Sequence, residues 1–158
     1  MKILALDLGT KCGFAYSGGG SGVWNLAPRR HESQGMRWIK FRQSLNDALK
    51  DVDMVAYEEV ARHLGTHAAH IYGGFLAILQ EMCEERKIEF VGVPVGTIKK
   101  FATGRGNASK DMMIKAANQL TGRGDTGSGN PEPVVDDNEA DATCLLAYAK
   151  EQYGNKEE

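Results

Sequence analysis

Cysteine is scarce in this chain of 158 residues: Cys12, Cys83 and Cys144 stand far apart, with no C-x-x-C among them. An odd, dispersed set excludes a disulfide framework and a zinc ribbon, and it fits a reducing, cytoplasmic setting. Long apolar runs are also lacking. The N-terminal stretch Ile3-Leu4-Ala5-Leu6 follows a single lysine and ends in Asp7, which is too short for a secretory signal or a bilayer span. No membrane partner is expected. A basic excess is missing as well, and the net charge of −2 argues against a protein that coats polyanions. A protein that acts on a polyanion at one place is still allowed, because clustered acidic residues and an acidic tail at 154–158 mask local basic patches in the sum. There is no internal repeat and no sign of a second domain. Residues 1–158 are therefore expected to form one domain, with 42% hydrophobic residues to build its core.

What is present is a run of strands followed by alternating strands and helices. Residues 2–7, 12–16 and 22–26 read as three strands, the last two joined by Gly18-Gly19-Gly20-Ser21, a glycine-rich hairpin connection. From Ser33 to Lys50, the apolar positions Met36, Ile39, Phe41, Leu45, Ala48 and Leu49 approximate helical spacing, and Asp51–Tyr57 returns to a strand. Thr66 reads as the N-cap of a helix running to about Arg86. A strand over 88–93, ended by Pro94, precedes a short helix from Thr97, a basic turn Gly104-Arg105-Gly106-Asn107-Ala108 and a helix from Ser109 to about Leu120. The Gly-, Pro- and Asp-rich segment 121–135 reads as a flexible loop. A last helix starts near Asp136 and turns Ala140, Cys144, Leu145, Ala147 and Tyr148 to the core. The order βββαβαβααα predicts an α/β fold: a mixed sheet, meander plus later strands, with helices on both faces.

Acidic residues punctuate this pattern at telling places. Asp7 closes the apolar run 3–6, Glu58 closes Met54-Val55-Ala56-Tyr57, and Asp141 lies in Asp136-Asp137-Asn138-Glu139-Ala140-Asp141-Ala142 at the start of the last helix. A carboxylate at the edge of an apolar sheet costs on the order of several kcal/mol unless it is paired or bound to a cation. Asp137 and Asp141 are spaced i, i+4, and Asn138 and Asp141 i, i+3, so two oxygen ligands can face one metal. Oxygen ligands without His or Cys favour Mg²⁺ or Mn²⁺ over zinc, and carboxylates from separate elements suit two-metal phosphoryl chemistry. Asp136 reads as a helix cap. Of two basic patches, Arg29, Arg30, Arg37, Lys40 and Arg42 read as solvated helix surface, whereas Lys99, Lys100, Arg105, Lys110 and Lys115 are candidates for phosphate contact.

Taken together, LDLGTKCGFAY, VAYEEV, GRGNASK and DDNEADATCLLAYA, in this order over nearly the whole chain, resemble the RuvC-type Holliday junction resolvases of the RNase H-like nuclease superfamily. The resemblance implies an RNase H-like five-stranded mixed sheet and a homodimer that resolves four-way DNA junctions by paired, metal-dependent nicks. It implies two Mg²⁺ per active site, with Mn²⁺ as a substitute, and a bacterial or phage-encoded protein. Asp7 would bridge both metals, with Glu58 and Asp141 as further ligands and Lys110 near the scissile phosphate. Where the family commonly has Asp or His three residues before the final Asp, this chain has Asn138. The fourth ligand is then either Asp137, the favoured choice, or Asn138 through its amide oxygen. Lys99, Lys100 and Arg105 are expected on DNA. So are Arg62 and His63, on the loop where the family often has an aromatic.

Other features have narrower readings. His63, His67 and His70 offer at most two convergent ligands, and zinc is not expected. Gly73-Gly74 inside a helix calls for close approach of a second backbone. That approach comes either from a dimer mate, with Ile71, Phe75, Ile78 and Leu79 adding apolar contacts, or from the chain's own sheet. Arg123-Gly124-Asp125 matches a cell-adhesion tripeptide by chance. Asp7-Leu8-Gly9-Thr10 also resembles the phosphate motif of actin-like ATPases and sugar kinases, which need a duplicated domain. A non-catalytic branched-DNA binding module is the third alternative.

Overall fold

The computed structural model describes residues 1–124, 129 and 131–154. Part of the expected flexible loop (125–128 and 130), the Asp125 of the tripeptide and most of the acidic tail (155–158) lie outside the described residues. The elements are β1 (Ile3–Asp7), β2 (Lys11–Tyr16), β3 (Ser21–Asn25), α1 (Met36–Ala48) with a 3₁₀ turn at Leu49–Asp51, β4 (Met54–Glu59), α2 (Thr66–Arg86), β5 (Glu89–Pro94), α3 (Val95–Thr103), α4 (Lys110–Thr121) and α5 (Asp137–Tyr153). They form one five-stranded sheet in the order β3-β2-β1-β4-β5. β1, β2 and β3 run antiparallel, whereas β1, β4 and β5 run parallel. The mixed sheet is the one expected from the chain order, and its five strands are the number the family resemblance implies.

β1 is apolar at every position before Asp7 because helices cover both faces of the sheet. Its side chains alternate. Leu4 and Leu6, with Val55 and Tyr57 of β4, pack on Phe41 and Leu45 of α1 and on Phe75 and Leu79 of α2. Ile3 and Ala5, with Met54 and Ala56, pack on the other side against Ile98, Met113, Ala142, Leu145 and Ala149 of α3, α4 and α5. By the same alternation Asp7 and Glu58 belong to the α5 side. Two cores thus share one sheet, with the acidic residues at its edge.

Three expectations need correction. The apolar stripe of α1 runs through Arg37, Phe41, Leu45 and Ala48, while Ile39 is exposed. Phe41, Leu45, Ala48 and Leu49 are buried as expected, Ile39 alone of the apolar set points out, and Arg37 is buried rather than solvated. Thr66 is the first residue of α2 and not its cap, since Gly65, at φ 137°, takes the capping position without a side chain to offer. At Gly74 the close neighbour is neither a second backbone nor the sheet: an added Cβ would lie 2.5 Å from the Trp38 indole of α1, whereas Gly73 faces open space. Phe75 and Leu79 are fully buried in the chain's own core, which removes them from any dimer contact. Among the described residues, no helix is long and apolar enough to cross a membrane.

Candidate active site

Asp7 ends β1, and Glu58 is the penultimate residue of the parallel neighbour β4. The register Leu6 to Tyr57 sets the two acids side by side at one edge of the sheet. α5 brings the third. One carboxylate oxygen from each of Asp7, Glu58 and Asp141 lies within 4.8 Å of the others.

The approach of α5 is built into local sequence. Gly13 pairs with Asp7 across the β1–β2 ladder, and a Cβ on it would stand 1.9 Å from the Asn138 carbonyl oxygen. Only glycine lets the first turn of α5 rest on the strand there. Asp136 caps that turn, accepting from the Asn138 and Glu139 amides at 2.7 and 3.2 Å. A largely buried cluster clamps it from the other side. Arg123 pairs with Glu139 at 3.0 Å, the Ser21 hydroxyl donates to Glu139 at 2.6 Å, and Arg123 donates to Ser21 at 2.7 Å and to the Glu132 carbonyl at 2.6 Å. β3, the connection before α5 and α5 itself are joined at this point.

Crowding and burial leave their mark on the acids. Burial first, then the charges of Glu58 and Asp141, holds the Asp7 carboxyl well above the usual range. Glu58 is pushed up to about 7 by burial and by Asp141, against the opposing pull of Lys99. Asp141 rises to about 6 through burial and Asp137, with Lys99 and Lys110 pulling it down. Like charges this close favour a shared proton or a cation. An all-carboxylate donor set is what a hard divalent ion takes, so these residues fit a metal.

The remaining expected site residues divide. Lys99 lies near enough to act on Glu58 and Asp141. Lys110 opens α4 behind the Ser109 cap and pairs with Asp137 at 3.1 Å. Asp137 therefore borders the three-carboxylate group and meets a lysine, while the Asn138 backbone is fixed between the Asp136 cap and Gly13. Lys100, Arg105 and Arg62 are exposed, and the His63 ring lies 4.9 Å from that of Tyr72. Among the described residues, the one group of three or more His, Cys, Asp and Glu side chains close enough to hold a metal is the acidic one.

The sequence reading put Arg37 on the solvated surface and passed over Gly13 and the Arg123–Glu139 pair. Signals existed for two of them. Arg37 precedes Phe41 by one turn and Leu45 by two, and a glycine within a strand marks close backbone approach. A hollow of about 730 Å³ beside Lys2, Ser17, Asp47 and Lys150 lies at the opposite end of the sheet from the acids and plays no part in this chemistry.

No family model matches the chain, and a search of curated proteins finds no match. Solved structures do match. Thermus thermophilus RuvC superposes with a TM-score of 0.72 at 18% identity, covering 96% of each chain. T. thermophilus RuvC in complex with Holliday junction substrate gives 0.74, with the same identity and coverage. The yeast mitochondrial Holliday junction resolvase Ydc2 gives 0.59 at 15% identity, over 92% of this chain and 75% of that one. The fold is the one these proteins share.

Proposed function

We propose that this chain is a metal-dependent DNA endonuclease that resolves four-way junctions. The observation that carries the proposal is the convergence of Asp7, Glu58 and Asp141, from three separate elements, within 4.8 Å. The likeness to RuvC bound to a Holliday junction substrate supports branched DNA as the substrate, and the family's paired nicks imply a homodimer with one active site per cut strand.

Asp7, Glu58 and Asp141 would hold two Mg²⁺ ions, with Asp137 as the fourth ligand after leaving Lys110, or Asn138 in its place. Bound there, the ions supply an activated water and a stabilised leaving oxygen. In the hydrolysis a water oxygen bonds to phosphorus, the 3′ oxygen leaves and takes a proton, and ligatable ends remain. Lys99 and Lys110 would offset charge on the phosphate. Arg62, His63, Lys100 and Arg105 would contact the DNA backbone. Leu64, fully exposed between β4 and α2, stands on the loop that in the resolvases probes the junction centre. The second lobe that an actin-like ATPase requires does not occur among the described residues.

The test is cleavage of a synthetic mobile four-way junction beside flap and duplex controls, with and without Mg²⁺. We expect paired, Mg²⁺-dependent nicks in the junction, reduced at least a hundredfold in Asp7→Asn with junction binding retained. Undiminished Mg²⁺-dependent cutting by Asp7→Asn would overturn the proposal.

A further inference from the structure

Arg37 is a buried guanidinium without a counter-charge. The residue is 9% exposed, its Nε has no hydrogen-bond partner, and among the described residues it joins no ion pair. Its guanidinium carbon sits 5.9 Å from the Trp38 ring centre, a contact that does not neutralise charge. An enclosed N–H without an acceptor is unfavourable, and the Nε of Arg37 is enclosed and unpartnered, so this largely buried arginine lacks a partner as it stands.

Arg37 lines a hollow of about 400 Å³ bounded also by Thr10, Val60, His63, His67 and Tyr72. The first turn of α2 forms one wall. Its cap, Gly65, accepts no hydrogen bond through a side chain, so the leading N–H groups of a 21-residue helix lack a side-chain acceptor. A helix N-terminus and a buried guanidinium facing one hollow select an anion, and a phosphate oxygen set suits both. The hollow lies at the same end of the sheet as the carboxylates, on the α1 and α2 side. Thr10 follows Asp7 by three residues and Val60 follows Glu58 by two, so this part of its lining has its backbone within roughly 10 Å of theirs at about 3.5 Å per residue. That is about one to three nucleotides along a strand.

We infer that Arg37 and the uncapped first turn of α2 bind a backbone phosphate of the cleaved strand, next to the scissile one. The inference rests on the DNA reading above, and its test separates the two. Binding of a four-way junction is measured in EDTA, from about 50 to 200 mM salt, for the wild type, Arg37→Met and Arg37→Lys. Arg37→Met is expected to bind about tenfold more weakly, with a log K against log salt slope shallower by about 0.9. Arg37→Lys, which keeps one charge, should keep the slope. Because methionine replaces an unpaired charge with apolar volume, Arg37→Met should melt no lower than the wild type.

Wild-type affinity and slope in Arg37→Met would overturn the inference while leaving the nuclease reading intact, whereas a wild type that binds no junction even at low salt would sink that reading itself. A rise in wild-type melting temperature with inorganic phosphate, lost in Arg37→Met while junction affinity stays unchanged, would assign the hollow to a free anion and overturn the inference too.

Discussion

Glu58 and Asp141 set how the site responds to pH. Burial and neighbouring charge raise them from ordinary values of 4.5 and 3.8 to about 7 and about 6. A carboxyl raised on folding contributes stability that is fully present below its unfolded value and is lost as pH rises through the folded one. The metal-free protein should therefore lose part of its stability between about pH 4 and pH 8. Removing one acid should relieve that loss. In EDTA, Asp141→Asn should melt several degrees above the wild type at about pH 8 and level with it near pH 4; an equal gap at both pH values would contradict the assigned shifts. Metal binding needs the ionised forms, so cleavage should fall as pH drops through the same range. The fourth ligand also belongs to this scale. Asp137 must give up Lys110 to reach a metal, and with Lys110 largely exposed solvent screening leaves that ion pair weak and easily exchanged.

At the scale of elements, the meeting of β2 and α5 decides whether the acids converge. A Cβ at Gly13 cannot coexist with the Asn138 carbonyl 1.9 Å away, so Gly13→Ala must shift the first turn of α5 and Asp141 with it. We expect a loss of about 1–3 kcal/mol and at least tenfold weaker cleavage with junction binding retained. Gly18→Ala, with no atom within 4 Å of the added carbon, is the matched control and should match the wild type on both measures. Wild-type cleavage by Gly13→Ala would show that α5 is placed by other contacts. Element order and the three convergent carboxylates were legible in the sequence, because strand-ending acids and helix spacing are local patterns. Most of the buried face of α1 was legible as well, but not that Arg37 rather than Ile39 completes it, since only docking against Phe75 of α2 chooses between them. Nor was the partner of Gly74, because an aromatic ring arriving from another helix leaves no mark near a glycine in the chain.

For the molecule as a whole, the metal is expected to act as a structural tie as well as a reagent. A ligand bound only by the folded state adds about 2.7 kcal/mol at a hundredfold excess over its Kd. Millimolar Mg²⁺ or Mn²⁺ should raise the melting temperature by several degrees, reversibly with EDTA, and by much less in Asp7→Asn. An equal rise in both proteins would place the ions elsewhere. The same three carboxylates have a consequence for biosynthesis. Asp7 emerges from the ribosome with the first strand, but the Asp141 that completes its cluster comes from α5, so a nascent chain that stops before α5 cannot assemble the three-carboxylate group. Under the proposed function, a chain stalled or clipped before α5 would be inert toward DNA, and cutting would begin only once α5 docks.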